Sequence, residues 1–280
     1  MADKEAVYKQ IIEVVFEDRF ETGATRVEFV RKDLEEAAES LGLGRPGNLG
    51  DIPYAYRFRR PLPDSVRKCA PDGKDWVIRI TGKGSYAFEP VKQAWFTPNL
   101  ALAATKIPDA TPALIERYAL NDEQAVLAVL RYNRLIDIFS GVTCYSLQNH
   151  LRTTVQVKAP DGRVARPQIE TDEVYLGIDR RGAHYLFPVQ AKGGTDTLSV
   201  VQIEQDFLLC KKPKFRDLIP VPIGAQFVGD ESDRLIALFE FVQDGETGEV
   251  SLAREKHYRL VPAEAISDAD ISGYANLLED

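Results

Sequence analysis

Residues 168–194, QIETDEVYLGIDRRGAHYLFPVQAKGG, constrain the fold more than any other stretch of this chain. Two runs rich in Val, Tyr, Leu, Ile and Phe, residues 173–178 and 184–190, flank the connector Asp179-Arg180-Arg181-Gly182. Apolar β-formers around a polar, glycine-containing link predict a β-hairpin. The acids Glu170, Asp172 and Glu173 stand at the start of the first strand, and Gln190 and Lys192 at the end of the second. Side chains alternate along a strand, so Gln190 and Lys192 share one face, with Ala191 on the other. The hairpin brings Asp172 beside them. A carboxylate, an amide oxygen and an ammonium around one point suit a hard divalent cation and a water next to a phosphate.

At these residues the chain resembles the PD-(D/E)XK nuclease superfamily, in which an acid opens one strand and an acid-x-Lys closes the next. Gln190-Ala191-Lys192 is similar to the Mrr-like branch, where Gln stands for the second acid. The resemblance covers roughly residues 147–212. It implies Asp172, Gln190 and Lys192 as catalytic residues, and Mg²⁺ held by Asp172, the Gln190 side-chain oxygen and the Ala191 carbonyl. Glu170 and Glu173 are possible accessories. Gln202, on a helix expected over residues 198–209, is another. A helix before the first acidic strand often adds a polar residue in such nucleases. Gln148 and His150, within a stretch read as helix and then strand over residues 145–157, are the local candidates.

Composition narrows the remaining classes. The 280 residues carry a net charge of −8, which argues against indiscriminate nucleic-acid binding but leaves room for basic residues gathered in one cleft. No apolar run reaches membrane-spanning length, and the N-terminus lacks signal-peptide character, so no membrane partner is expected. Three dispersed cysteines without CxxC spacing point to a reducing cytoplasm. No GxSxG, HExxH or Walker loop is present, and no GxGxxG follows a strand, which argues against serine hydrolase, zincin, P-loop and Rossmann chemistry.

Upstream, residues 4–20 and 31–41 show amphipathic helical spacing, and residues 76–91 form a second hairpin around Gly82-Lys83-Gly84. Two helices followed by a hairpin with a basic tip give the order of a winged-helix module. Between them, residues 52–60 (IPYAYRFRR) interleave aromatic and basic side chains. The expected packing puts Tyr54, Tyr56 and Phe58 inward and the arginines against a duplex. Arg45, Arg57, Arg59, Arg60 and Lys83 are the candidate DNA contacts. Further on, residues 123–139 predict one helix, residues 234–242 a central strand, and residues 251–261 a last strand.

The expected fold class is α+β to α/β: a PD-(D/E)XK-type mixed central sheet flanked by helices over residues 96–280, with a winged-helix-like recognition domain over residues 1–95. The function these readings imply is Mg²⁺-dependent, site-specific cleavage of double-stranded DNA by a type II restriction endonuclease, with a homodimer expected so that both strands are cut. The alternative is a non-catalytic DNA-binding regulator whose C-terminal domain is a sensor or an inactive nuclease fold.

Overall fold

The computed structural model describes residues 4–44, 47–118, 123–158, 162, 164–193, 196–229 and 235–276. The chain is mixed α and β and divides into two units. The first comprises residues 1–96, 152–169 and 197–209, and the second residues 97–151, 170–196 and 210–280.

The first unit runs α1 (Lys4–Glu17), β1 (Val27–Val30), α2 (Arg31–Ser40), α3 (Asp51–Phe58), α4 (Asp64–Arg67), β2 (Asp75–Gly82) and β3 (Ser85–Val91). Its antiparallel sheet has the order β1-β3-β2. Alternation in β1 buries Val27 and Phe29 and exposes Glu28 and Val30. Ile11, Ile12, Val15 and Phe16 form the inner stripe of α1, and Phe16 meets Trp76 and Phe88 edge-on at 5.7 and 5.1 Å. Each side chain so buried contributes about 1.5–3 kcal/mol. At the start of α2 the buried Asp33 carboxylate accepts from the Val30 N–H (2.7 Å), supplying an acceptor that the first turn lacks.

Gly84 adopts φ +70°, as the tight β2–β3 turn requires, and its carbonyl accepts from Arg31 N (2.9 Å). The unit also contains the short pairs β4 (Trp95–Phe96) with β11 (Leu198–Ser199), and β7 (Val157–Lys158) with β8 (Val164–Ala165). Nearly all of α8 (Val200–Cys210) belongs here, and its Glu204 forms a double hydrogen bond with Arg79, which also pairs with Glu89 (2.7 Å).

The second unit is built on a sheet of order β5-β15-β14-β13-β10-β9-β6, with β12 (Ile219–Pro220) pairing to β10 off this path. The strands are β5 (Ala104–Pro108), β6 (Thr143–Thr154), β9 (Gln168–Ile178), β10 (His184–Lys192), β13 (Ile223–Val228), β14 (Leu235–Gln243) and β15 (Val250–Val261). The sheet is mixed: β10 is antiparallel to β9 and parallel to β13, and β15 is antiparallel to β14 and parallel to β5. As expected, β14 is interior to the sheet and buries both faces.

The helix predicted over residues 123–139 is two, α6 (Glu123–Tyr132) and α7 (Leu135–Ser140), because Arg134 turns left-handed at φ 51°. Asn133 secures the break. Its amide donates to Val129 O and Thr111 Oγ1, and its oxygen accepts from Ala110 N. Leu127, Leu130, Ile136 and Phe139 of these helices pack on Tyr175, Phe187, Val189, Ala191 and Ala225 of the sheet. Short α5 (Ala113–Tyr118) precedes them, and α9 (Asp268–Asn276) ends the described chain.

The helix expected within residues 145–157 is absent. Residues 143–154 form β6, most of whose side chains are exposed, so the sequence there carries no apolar periodicity to mark a strand. Among the described residues no helix is long and apolar enough to cross a membrane.

Candidate active site

The β9–β10 hairpin pairs from Ile178 with His184 to Glu173 with Val189. Its turn is fixed by Asp179, whose Oδ1 accepts from the Arg181 and Ala183 N–H groups at 2.9 Å each, and by Gly182 at φ +81°. These donors, Ala183 foremost, hold the Asp179 carboxyl down at about 2.

Pairing sets which side chains meet. Tyr175, Phe187, Val189 and Ala191 point into the core under α6 and α7. The strict alternation of β9 and β10 therefore turns Asp172, Gln190 and Lys192 to the opposite face, together. Asp172 leans onto the end of β10, its Oδ2 accepting from Ala191 N at 2.8 Å. Gln190 is 1% exposed, and its Nε2 donates to Glu170 O (3.2 Å), which fixes the sense of the amide and turns Oε1 away from that carbonyl. Lys192 is 7% exposed, and its side chain makes no hydrogen bond or ion pair with a described residue. Burial raises the Asp172 carboxyl above its ordinary value; the Ala191 N–H and the Lys192 charge offset part of the shift. A carboxylate largely kept from water, a buried amide and a lysine ammonium acting on that carboxylate form an uncommon group.

The proposed accessories separate. Glu173 lies on the core face, fully buried, where Arg131 binds it through two nitrogens (3.2 and 3.0 Å) and the Ser146 hydroxyl donates to it. It is not beside Asp172, because one residue along a strand reverses the face. Glu170 shares Asp172's parity and lies 3.4 Å from His150 Nδ1 of the edge strand β6. Gln202 belongs to the first unit, its Oε1 accepting from Ser199 N at 3.4 Å.

The basic run differs from its expected packing. Residues 51–58 are helical, so inward positions follow a 3.6-residue period and the simple interleaving fails. Ile52, Ala55, Tyr56 and Arg57 are buried, whereas Tyr54 is exposed. Arg57 stacks on Phe58 (4.4 Å), its Nε has no hydrogen-bond partner among the described residues, and burial pulls its guanidinium down to about 10. It is not presented to a duplex. Arg59 is exposed and lies over the Tyr54 ring (5.2 Å), Arg60 pairs with Glu5, and Lys83 is exposed at the tip of the β2–β3 hairpin. Lys4, Glu5, Tyr8, Asp51, Tyr54 and Arg59 help line a cavity of about 370 Å³ in this unit. Arg45 lies outside the described residues.

The donors on the Asp172 face are all oxygens, which suits Mg²⁺. Asp172 is the carboxylate nearest Gln190 and Lys192, with Glu170 two residues along the same face, and no group of three or more His, Cys, Asp and Glu side chains gathers to hold a metal among the described residues. One donor was missed in the sequence. Gln226, in the buried run IGAQFV of β13, pairs in register with Lys192. A single polar residue inside an otherwise apolar buried strand was the signal available. No protein-family model, curated protein or solved structure matches this chain.

Proposed function

We propose that the chain is a Mg²⁺-dependent endonuclease of the PD-(D/E)XK kind, hydrolysing phosphodiester bonds at specific sites in double-stranded DNA and working as a homodimer. The observation that carries this reading is Lys192. Its side chain is 7% exposed, makes no ion pair among the described residues, and shares a face with the half-buried Asp172 carboxylate, on which its charge acts, and with the Gln190 amide. A lysine whose stem is packed away while its ammonium has no direct carboxylate partner among the described residues is placed to meet a phosphate.

Asp172, through its oxygen not bound by Ala191, would hold Mg²⁺ with the Gln190 amide oxygen and the Ala191 carbonyl. The ion, when bound, polarises the phosphate and makes a water more acidic. Lys192 stabilises charge developing on the phosphate oxygens. The water oxygen forms a new bond to phosphorus, the ester P–O bond breaks with its electron pair on the leaving oxygen, and the water's proton reaches that oxygen through solvent.

The first unit supports a winged-helix-like recognition role. Its order α1-β1-α2-α3-β2-β3, interrupted only by the single turn α4, ends in a hairpin whose tip carries Lys83, and Arg59 and Arg60 lie at the end of α3. Phosphate contacts from such residues would position the duplex.

Incubation of the purified protein with mixed-sequence plasmid DNA tests the reading. Discrete fragments are expected with Mg²⁺ and none with chelator. Asp172→Ala and Lys192→Ala should bind duplex DNA without cutting it. A folded wild-type protein that leaves every sequence intact in Mg²⁺ and Mn²⁺ refutes the proposal.

A further inference from the structure

Gln226 has an unusual environment. It is 6% exposed, and its Nε2 donates to Asp196 O at 2.8 Å, so the sense of its amide is settled. Its Oε1 is buried and accepts from no described residue. An orphaned amide oxygen in a core costs about 1–3 kcal/mol, and apolar residues would fill a strand interior at no such cost.

The register gives the orphan a neighbour. Lys192 of β10 pairs with Gln226 of the parallel strand β13. Ala191 and Ala225, also paired, both lie in the core beneath α6 and α7, so Lys192 and Gln226 project together from the other face. Adjacent strands lie about 4.8 Å apart. Next along the same face, Gln190 is opposite Gly224, which has no side chain to intrude. A buried amide oxygen without a donor thus stands beside a lysine that makes no side-chain hydrogen bond with a described residue, yet the two do not bond to each other. A water between them satisfies both.

We infer that Lys192 and Gln226 together hold one ordered water, and that this water is the nucleophile of the hydrolysis. The second half rests on the nuclease reading given above. Lys192 donates to the water, and Gln226 Oε1 accepts one of its protons. The remaining lone pair is then left to face phosphorus. An ammonium alone fixes the position of a water but not its rotation, and the acceptor supplies that.

Two measurements test this. The first is a high-resolution crystal structure of the whole protein, in which an ordered water within hydrogen-bond distance of both Lys192 Nζ and Gln226 Oε1 is expected; its absence overturns the inference. The second is single-turnover cleavage at saturating DNA and Mg²⁺. Gln226→Leu should slow it about ten- to hundredfold, with duplex affinity and the Mg²⁺ midpoint unchanged. Gln226→Glu, which keeps an acceptor, should recover part of the rate.

Cleavage by the folded Leu variant at the wild-type rate, with or without lower thermal stability, reduces Gln226 to a tether for Asp196 and overturns the role. A wild-type protein that shows the water but cuts no DNA would refute the nuclease reading and leave the water site standing. One that cuts DNA without the water would do the reverse.

Discussion

Removing Arg131 should destabilise the fold while leaving the Asp172 face intact, and its magnitude follows from the burial of its partner. Glu173 is 0% exposed and receives two guanidinium hydrogen bonds from Arg131, one from Ser146 and, with the amide oriented to satisfy both neighbours, one from Asn149 at 3.2 Å. Leaving a buried carboxylate without its cation costs about 3–5 kcal/mol. Arg131 is itself 38% exposed, so its own charge is partly hydrated in the fold, and Ser146 and Asn149 would still serve the carboxylate. Both facts reduce the expected loss for Arg131→Met to about 2–3 kcal/mol, or roughly 3–5 °C in Tm for a chain of this size.

Glu173→Gln should cost less, because the released Arg131 can turn to water. The double variant should then recover at least about 1 kcal/mol relative to the sum of the singles. Urea denaturation of the four proteins gives the cycle. A loss below about 0.5 kcal/mol for Arg131→Met would refute the claim that Glu173 is held as a buried ion. Cleavage measured well below Tm should match wild type, since Glu173 faces away from Lys192.

Two further outcomes are expected. A Cβ at Gly177 would stand 2.6 Å from Phe187 Cε2 and 2.7 Å from Val142 Cγ1, so Gly177→Ala should cost about 1–3 kcal/mol in urea; an unchanged midpoint would mean that this contact yields freely. Asp172 titrates higher in the folded chain than in the unfolded one, so the folded state binds more protons between the two values and stability falls as pH rises through that window. Asp172→Asn should therefore be more stable than wild type at neutral pH and lose that advantage below the unfolded value; a variant less stable at neutral pH sinks the argument.

The hairpin was legible because its strands are rich in β-formers and its turn in polar residues, and local chemistry decided both. The parity of Gln190 and Lys192 followed from the pleat alone. Glu173 was not legible as a core ion: its partner Arg131 is 42 residues upstream, and nothing local marks their meeting. The run 52–60 misled because alternating aromatic and basic letters fit a strand as well as a helix, and α3 settled on the period that buries Ile52, Ala55 and Tyr56. β6 escaped because an exposed edge strand needs no apolar face. Gln226 became significant only once the parallel pairing of β10 and β13 set it beside Lys192.

The first unit is assembled from three stretches of chain, the last of them ending at residue 209. A ribosome makes the chain from one end, so most of the second unit's hairpin, residues 170–196, emerges before the first unit can close. Glu204, the partner of Arg79, arrives 125 residues after it. Until then the part-buried Arg79 lacks one of its two carboxylates, and Leu198 and Val200 cannot pair with residues 94–96. Vectorial folding, in which an N-terminal domain completes itself before the next begins, is therefore closed to this chain. The nascent protein must carry an unfinished first unit through much of its synthesis, and a fragment cut at residue 96 would carry that deficiency permanently.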